Sequence, residues 1–298
     1  MDRRRLNGYL ISILAAAAWA GTSPGIAYLQ RLNVPSLAIA FWRDVFVAVA
    51  IFGVFAAVRP ALLRVTRETF IGLLISGAVS IGLYHVLWVY SVRMNGPAVA
   101  VVLVYTYNAF TALGARLVFK EPMRRAQTLA LVISLVGLVL VVKAYDPSTW
   151  AVTWQGTAIG VLSALLQTVY VLYNQRFIKS VNPLVSLGYQ MAFGAVVIGA
   201  LILLFDPGQM FGVGAIENWL LLVFLGIGPT LGGYGFFNLA MRFVPGKVAG
   251  LISVMEVPFA AGLAWLIFGD TLILPQYAGM ALVLAASVAA NGVESDSG

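Results

Sequence analysis

The sequence predicts an all-α polytopic membrane protein: ten transmembrane helices in two inverted five-helix repeats, with the N- and C-termini cytoplasmic. Three observations predict it. The composition is too apolar for a soluble surface, the apolar residues fall into ten runs of spanning length, and the second half of the chain echoes the first.

Of 298 residues, 61% are hydrophobic and 10% charged, whereas a soluble domain carries roughly 25% charged residues. The runs are about 18–24 residues long, the length that crosses a ~30 Å hydrocarbon core, and they are apolar all round rather than on one stripe. With no cysteine and one histidine, disulfides, thiolate chemistry, Cys-based metal sites and a multi-histidine metal site are excluded within one chain. No cofactor and no metal are expected. The formal charge of +7 is scattered between the apolar runs, so it is read as a topology signal and not as a nucleic-acid surface.

The predicted spans are 7–29, 36–58, 69–92, 96–118, 126–143, 155–177, 184–205, 218–241, 246–268 and 275–292. Turn chemistry separates them: Asn33 to Pro35, Arg59-Pro60, Asn95 to Pro97, Glu121-Pro122, Asp146-Pro147, Asn182-Pro183, Asp206 to Gly208, Pro245-Gly246 and Asp270 to Pro275. With the N-terminus inside, 14 Lys and Arg fall on cytoplasmic segments (among them Arg3 to Arg5, Arg59, Arg64, Arg67, Arg116, Arg176, Arg242 and Lys247) and three, Arg31, Arg93 and Lys143, fall outside. Arg43 lies within a span. Met1 to Arg5, the apolar run and Ala18-Trp19-Ala20 have the outline of a signal peptide. The run continues to Leu29, so it is read as the first transmembrane helix.

The repeats are predicted at 1–145 and 150–298. At an offset of 149, Arg93 meets Arg242, Phe110 meets Phe259, Phe119 meets Phe268 and Glu121 meets Asp270; at 148, Gly8 meets Gly156 and Pro35 meets Pro183. Five spans per half force the second half to enter the membrane upside down. The loop charges agree: Lys120 to Arg125 is cationic, and its counterpart Gly269 to Leu274 carries no cation. Inverted repeats are the architecture of secondary transporters, with the site near the midplane between the repeats.

Leu14 to Thr22 (LAAAAWAGT), Phe41-Trp42-Arg43, Asn108 to Glu121 (NAFTALGARLVFKE) and Met255 to Asp270 (MEVPFAAGLAWLIFGD) resemble the EamA family of the drug/metabolite transporter superfamily, over almost the whole chain. The resemblance implies ten helices, inverted five-helix repeats and export of small metabolites or drugs across a bacterial inner membrane. Family members carry a proline near the start of both terminal motifs. Pro258 supplies the second, and Asn108 stands in for the first.

Ionisable groups at bilayer depth are the default functional candidates. Here they are Arg43, Asp44, His85 and Glu256. At ~1.5 Å per residue, Asp44 lies ~12 Å and His85 ~10 Å below the outer surface, with Asn108 and Glu256 near the midplane. Glu256 can bind a substrate cation or carry a coupling proton, or serve as a hydrogen-bonded structural acid. Arg43 can bind a substrate carboxylate or brace a neighbouring helix. Asp44 can serve as a cation site, partner His85 or play a structural part, and His85 can gate or relay a proton or satisfy a helix interface. Trp19, Tyr84, Trp88, Tyr105, Tyr107, Tyr170, Tyr173, Tyr189 and Tyr234 supply aromatic faces near these depths, for cationic or apolar groups or for packing. Because Tyr105 and Tyr107 flank Thr106 on the fourth helix, they are not expected to face one narrow stripe together. Gln167, Tyr170 and Asn174 are spaced three and four apart and share a face, which must look inward.

The function expected is a secondary transporter, an exporter of a small organic metabolite by alternating access. Its substrate site is expected at Tyr107, Asn108 and Glu256, completed by Tyr84, His85, Trp19, Gln167, Tyr170 and Tyr234. An amino acid or related zwitterion ranks ahead of a hydrophobic cation. A passive facilitator stays open as an alternative, and a membrane enzyme built on His85 and Asp44 is a remote third. The expected partners are the small-molecule substrate, the lipid bilayer and protons. No Walker A motif is present, so ATP-driven transport by this chain alone is not expected.

Overall fold

The computed structural model describes residues 3–120, 125–146, 153–177, 181–268 and 273–292. The predicted turn residues Glu121, Pro122, Pro147 and Asp270 lie outside them. All regular structure in the described residues is helical. Eight segments are long and apolar enough to cross a membrane by length and composition: Arg3–Arg31, Ser36–Val58, Arg67–Pro97, Val99–Phe119, Trp154–Arg176, Pro183–Phe205, Ile216–Ala240 and Gly246–Leu263. The predicted fifth and tenth spans are shorter apolar helices there, Gln127–Val141 and Leu274–Ala286. The fifth ends early because the backbone turns left-handed at Lys143 (φ 55°) and Ala144 N–H closes back onto Val139 O at 2.9 Å.

Several spans are built from broken helices, and the breaks have sequence causes. The first span is α1 (Arg3–Trp19) and α2 (Thr22–Arg31). Pro24 has no N–H to return to Ala20 O, so the ladder fails there. α3 (Ser36–Val58) starts after Pro35 and stops before Pro60. α4 (Arg67–Gly77), capped by the Thr66 hydroxyl, runs through a π-helical segment (Ala78–Leu83) into α5 (Tyr84–Tyr105). Gly96 (φ 74°) interrupts α5 just before Pro97 and separates the third and fourth spans; a side chain at that φ would be strained. α6 (Tyr107–Phe119) and α7 (Arg125–Val141) complete the first half.

The second half has the same order. α8 (Trp154–Phe177) and α9 (Pro183–Phe205) are continuous. α10 (Ile216–Leu225) passes through a second π-helical segment (Gly226–Gly232) into α11 (Gly233–Ala240). α12 (Gly246–Ser253) and α13 (Glu256–Phe268) reproduce the break between α5 and α6, and α14 (Leu274–Gly292) ends the chain's described part. Both π segments therefore fall at matching places, as do both late breaks.

The halves interleave. α3 crosses α9, α5 lies along α8, α7 pairs with α14, and α1 packs on α11, α12 and α13. The first π segment presses onto α9 closely enough that Gly82 lies against Gly194 backbone and Gly77 against that of Gln190. Large apolar side chains such as Leu117, Val196, Leu204 and Phe224 face outward. Arg43, Asp44, His85, Asn95, Gln190 and Asn238 are buried. This inversion of the soluble pattern suits a chain whose solvent is lipid.

Candidate functional site

The helix breaks converge on a cavity in the middle of the bundle. Its lining includes Trp19, Thr22, Arg43, Tyr84, His85, Trp88, Tyr105, Tyr107, Gln167, Tyr234 and Glu256. Its volume is about 50 Å³, room for a few waters, so the walls must part to admit an organic solute.

Arg43 is brought there by the second π segment. Pro229 cannot donate to Leu225 O, and the Thr230 hydroxyl donates to that carbonyl instead, at 2.7 Å. The same hydroxyl accepts from Arg43 Nε (3.1 Å) and Nη2 (2.9 Å), which uses its one proton and both lone pairs. Arg43 is 2% exposed, and its Nη1 is buried with no protein partner. An unpaired guanidinium N–H costs more buried than solvated, so a cavity ligand with a carboxylate or phosphate would complete it.

Glu256 opens α13 beside the late break and is half-buried. Tyr105 OH lies 2.5 Å from Glu256 Oε2 and 2.8 Å from Ser253 O, a carbonyl exposed by the break. One phenol proton cannot serve both acceptors. The arrangement is complete only when Glu256 carries a proton and donates it to the Tyr105 oxygen, leaving the phenol proton for Ser253 O. An ionised Glu256 takes the phenol proton for itself and orphans the carbonyl. The site thus has two hydrogen-bond states that differ by one proton.

Asp44 stands behind the cavity wall. Its Oδ1 accepts from His85 Nδ1 at 2.6 Å, a partnership the sequence reading offers for Asp44. His85 Nε2 reaches Tyr234 OH at 3.3 Å. Tyr234 packs edge-on against Trp19, with ring centroids 5.2 Å apart, and against Tyr170, also 5.2 Å. Among the described residues, no group of three or more His, Asp or Glu could hold a metal ion.

Three placements differ from the sequence reading. Tyr105 and Tyr107 do line one cavity, with rings 5.8 Å apart. The helix is not continuous between them: Thr106 N–H and its hydroxyl both close onto Leu103 O, at 3.3 and 2.6 Å, tightening the turn. This threonine breaks the helix where the other half uses Pro258. Asn108 does not line the cavity: it lies against Gly250 of α12 and lines a small separate pocket with Gln127, Thr128 and Lys247, whereas Tyr107, which also reaches Gly250 with its hydroxyl, lines the cavity with its ring. Tyr170 lies beneath the cavity, its hydroxyl donating to Asn238 Oδ1 at 2.9 Å. Trp19, Tyr84, His85, Tyr107, Gln167, Tyr234 and Glu256 line one cavity, joined by Arg43. The lining residues Thr22, Trp88 and Tyr105 were not among the expected site residues. Proton counting on Tyr105 becomes possible only once Ser253 O is seen to be exposed, and the role of Thr230 follows from Pro229 only once the π segment is known.

The sequence profile of the EamA-like transporter family matches residues 6–143 and again 154–292. An uncharacterized transporter of Archaeoglobus fulgidus is 25% identical over 278 residues, covering 92% of this chain and 93% of that one. The uncharacterized transporter YdfC of Bacillus subtilis is 25% identical over 91% of this chain and 86% of its own. The pseudopaline exporter CntI of Pseudomonas aeruginosa is 22% identical over 95% of both. One crystal structure superposes with a TM-score of 0.78 at 19% identity, over 96% of this chain and 98% of its own, a likeness of fold alone.

Proposed function

This chain belongs to the EamA-like transporter family and is a multi-pass membrane transporter, and on that premise we propose that it is a secondary carrier exporting a small zwitterionic metabolite of the amino-acid class. The observation that carries the reading is the pairing of an unsatisfied buried cation, Arg43 Nη1, with an acid, Glu256, in one aromatic-walled cavity. Tyr84 lines the same cavity as both. No ion pair joins the two among the described residues, so each is free to meet its complement on a solute: Arg43 a carboxylate, Glu256 an ammonium group. The pseudopaline exporter among the relatives favours export of an organic metabolite.

Alternating access is the mechanism proposed. Apart from α3 and α8, which bring Arg43 and Gln167, the helices that line the cavity lie in interrupted spans, and interruptions near the midplane are where such carriers bind and bend. Ten spans in two inverted halves, with both termini cytoplasmic, remain the topology proposed. The 14-to-3 distribution of cations and the recurrence of the π segments and late breaks support it. Coupling is proposed at Glu256, whose proton decides whether Ser253 O is satisfied, with the Asp44–His85 pair as a fixed polar brace behind Tyr234.

The test is uptake into proteoliposomes from a panel of labelled amino acids and organic cations, with and without a pH gradient. Saturable amino-acid flux that the gradient alters is the expected result. Flux of organic cations alone would replace the zwitterion reading, and flux indifferent to the gradient would remove the coupling role from Glu256.

A further inference from the structure

A second, larger hollow lies on the outside of the bundle, where α3 of one half meets α9 and α11 of the other. It holds about 570 Å³. Its walls are apolar, with Val54 and Phe55 on one side and Leu231 and Phe236 on the other, and Arg242 stands at one end. From Ile227 to Leu239 the wall runs ~18 Å at 1.5 Å per residue, about the depth of one leaflet of a ~30 Å core. Val54, Ile227 and Phe236 are exposed, so the groove opens toward the lipid phase and not toward the central cavity.

The polar end is built for an anion. Arg242 follows α11 and donates from Nη2 to Val181 O at 3.0 Å. Its Nε is buried with no partner, and no carboxylate pairs with it among the described residues. The positive end of α9 begins beside it, at Pro183. A guanidinium with donors to spare, at the mouth of an apolar trough one leaflet deep, calls for a molecule with a phosphate head and acyl tails.

We propose that this groove is a binding site for one anionic phospholipid, its phosphate on Arg242 and an acyl chain along α3 and α11. In the orientation proposed above the headgroup lies in the cytoplasmic leaflet. The lipid would sit across the junction of the two halves, where filling the groove holds α3 against α11.

The test is native mass spectrometry of the delipidated full chain, titrated with phosphatidylglycerol or phosphatidylcholine. One phosphatidylglycerol should be retained about fivefold more tightly than phosphatidylcholine, the worth of one cation near a lipid phosphate. Arg242→Gln, which keeps a donor for Val181 O but removes the charge, should bring the two lipids to parity. Ala50→Trp, placed in the groove wall, should lower retention of both. Equal retention by the wild-type chain overturns the site without any variant, and an undiminished preference in Arg242→Gln overturns it as well. No transport is measured, so the outcome is independent of the carrier reading.

Discussion

Two crossings of the same kind sit on either side of the bundle, and only one of them serves the cavity. In the first, α3 meets the second π segment, and Arg43 holds Thr230. In the second, α9 meets the first π segment, and Gln190 holds Ser76 at 2.7 Å. There Ser80 donates to Ser76 O at 2.6 Å, much as Thr230 donates to Leu225 O. The scaffold is duplicated, but the side chains are not. A neutral amide closes one crossing, whereas a guanidinium closes the other and keeps Nη1 for the cavity. The late breaks differ likewise: Tyr107 opens α6 and Glu256 opens α13. Duplication supplies the architecture, and side chains that differ between the halves make one cavity with both signs of charge.

The sharpest way to break this comparison is to remove the charge from one crossing and the amide from the other. Arg43→Met should lower carboxylate-solute affinity in the proteoliposome assay by about 2–5 kcal/mol, at least ~30-fold. Gln190→Met should leave uptake within a few-fold and cost about 1–2 kcal/mol of stability in a detergent melt. Equal losses in uptake would mean that both crossings are structural.

The late breaks allow a similar contrast. Glu256→Gln should abolish the response of flux to a pH gradient, because an amide has no proton to exchange, while flux down a substrate gradient persists at about a tenth or less. Tyr107→Phe removes only a 3.5 Å contact to Gly250 O and should change flux about twofold. A gradient response retained in Glu256→Gln would move coupling elsewhere.

Close packing of the π segment offers a third contrast, read as melting temperature in detergent. A side chain at Gly194 would meet Ile81, Asp44 and Gly82, whereas one at Gly53 meets nothing within 4 Å. Gly194→Leu should destabilise by about 1–3 kcal/mol, with Gly53→Leu nearly neutral. A smaller loss than at Gly194 is expected at Thr106→Val, which removes the hydroxyl that holds Leu103 O. A loss of about 1 kcal/mol would show that this side chain does at one break what Pro258 does at the other.

The candidate site was legible in the sequence as far as chemistry by depth could take it. Arg43, Asp44, His85 and Glu256 stand out because charge is costly in hydrocarbon, and the pairing of Asp44 with His85 is one of the readings open to Asp44. What misled was the assumption of a continuous helix through Thr106. A rigid 100° per residue keeps Tyr105 from Tyr107, and the turn removes that restriction; depth alone put Asn108 among the site residues, but it lines a separate pocket. Tyr170 failed differently: it shares a face with Gln167, but that face is wide enough for one residue to reach the cavity and the other to support its floor.

What the sequence by itself determined was the class of molecule. Apolar runs, the asymmetry of Lys and Arg, and the recurrence of Phe-x-acid at an offset of 149 are one-dimensional signals, because partition into lipid depends on composition along the chain. Only the tertiary structure decided which polar atoms remain unpaired. Whether Arg43 keeps a free N–H, whether Tyr105 must share one proton between two acceptors, and whether Arg242 overlooks an apolar trough all depend on contacts between the halves. Hydrogen bonding is settled by angstroms across the fold, and those distances are written nowhere along the chain.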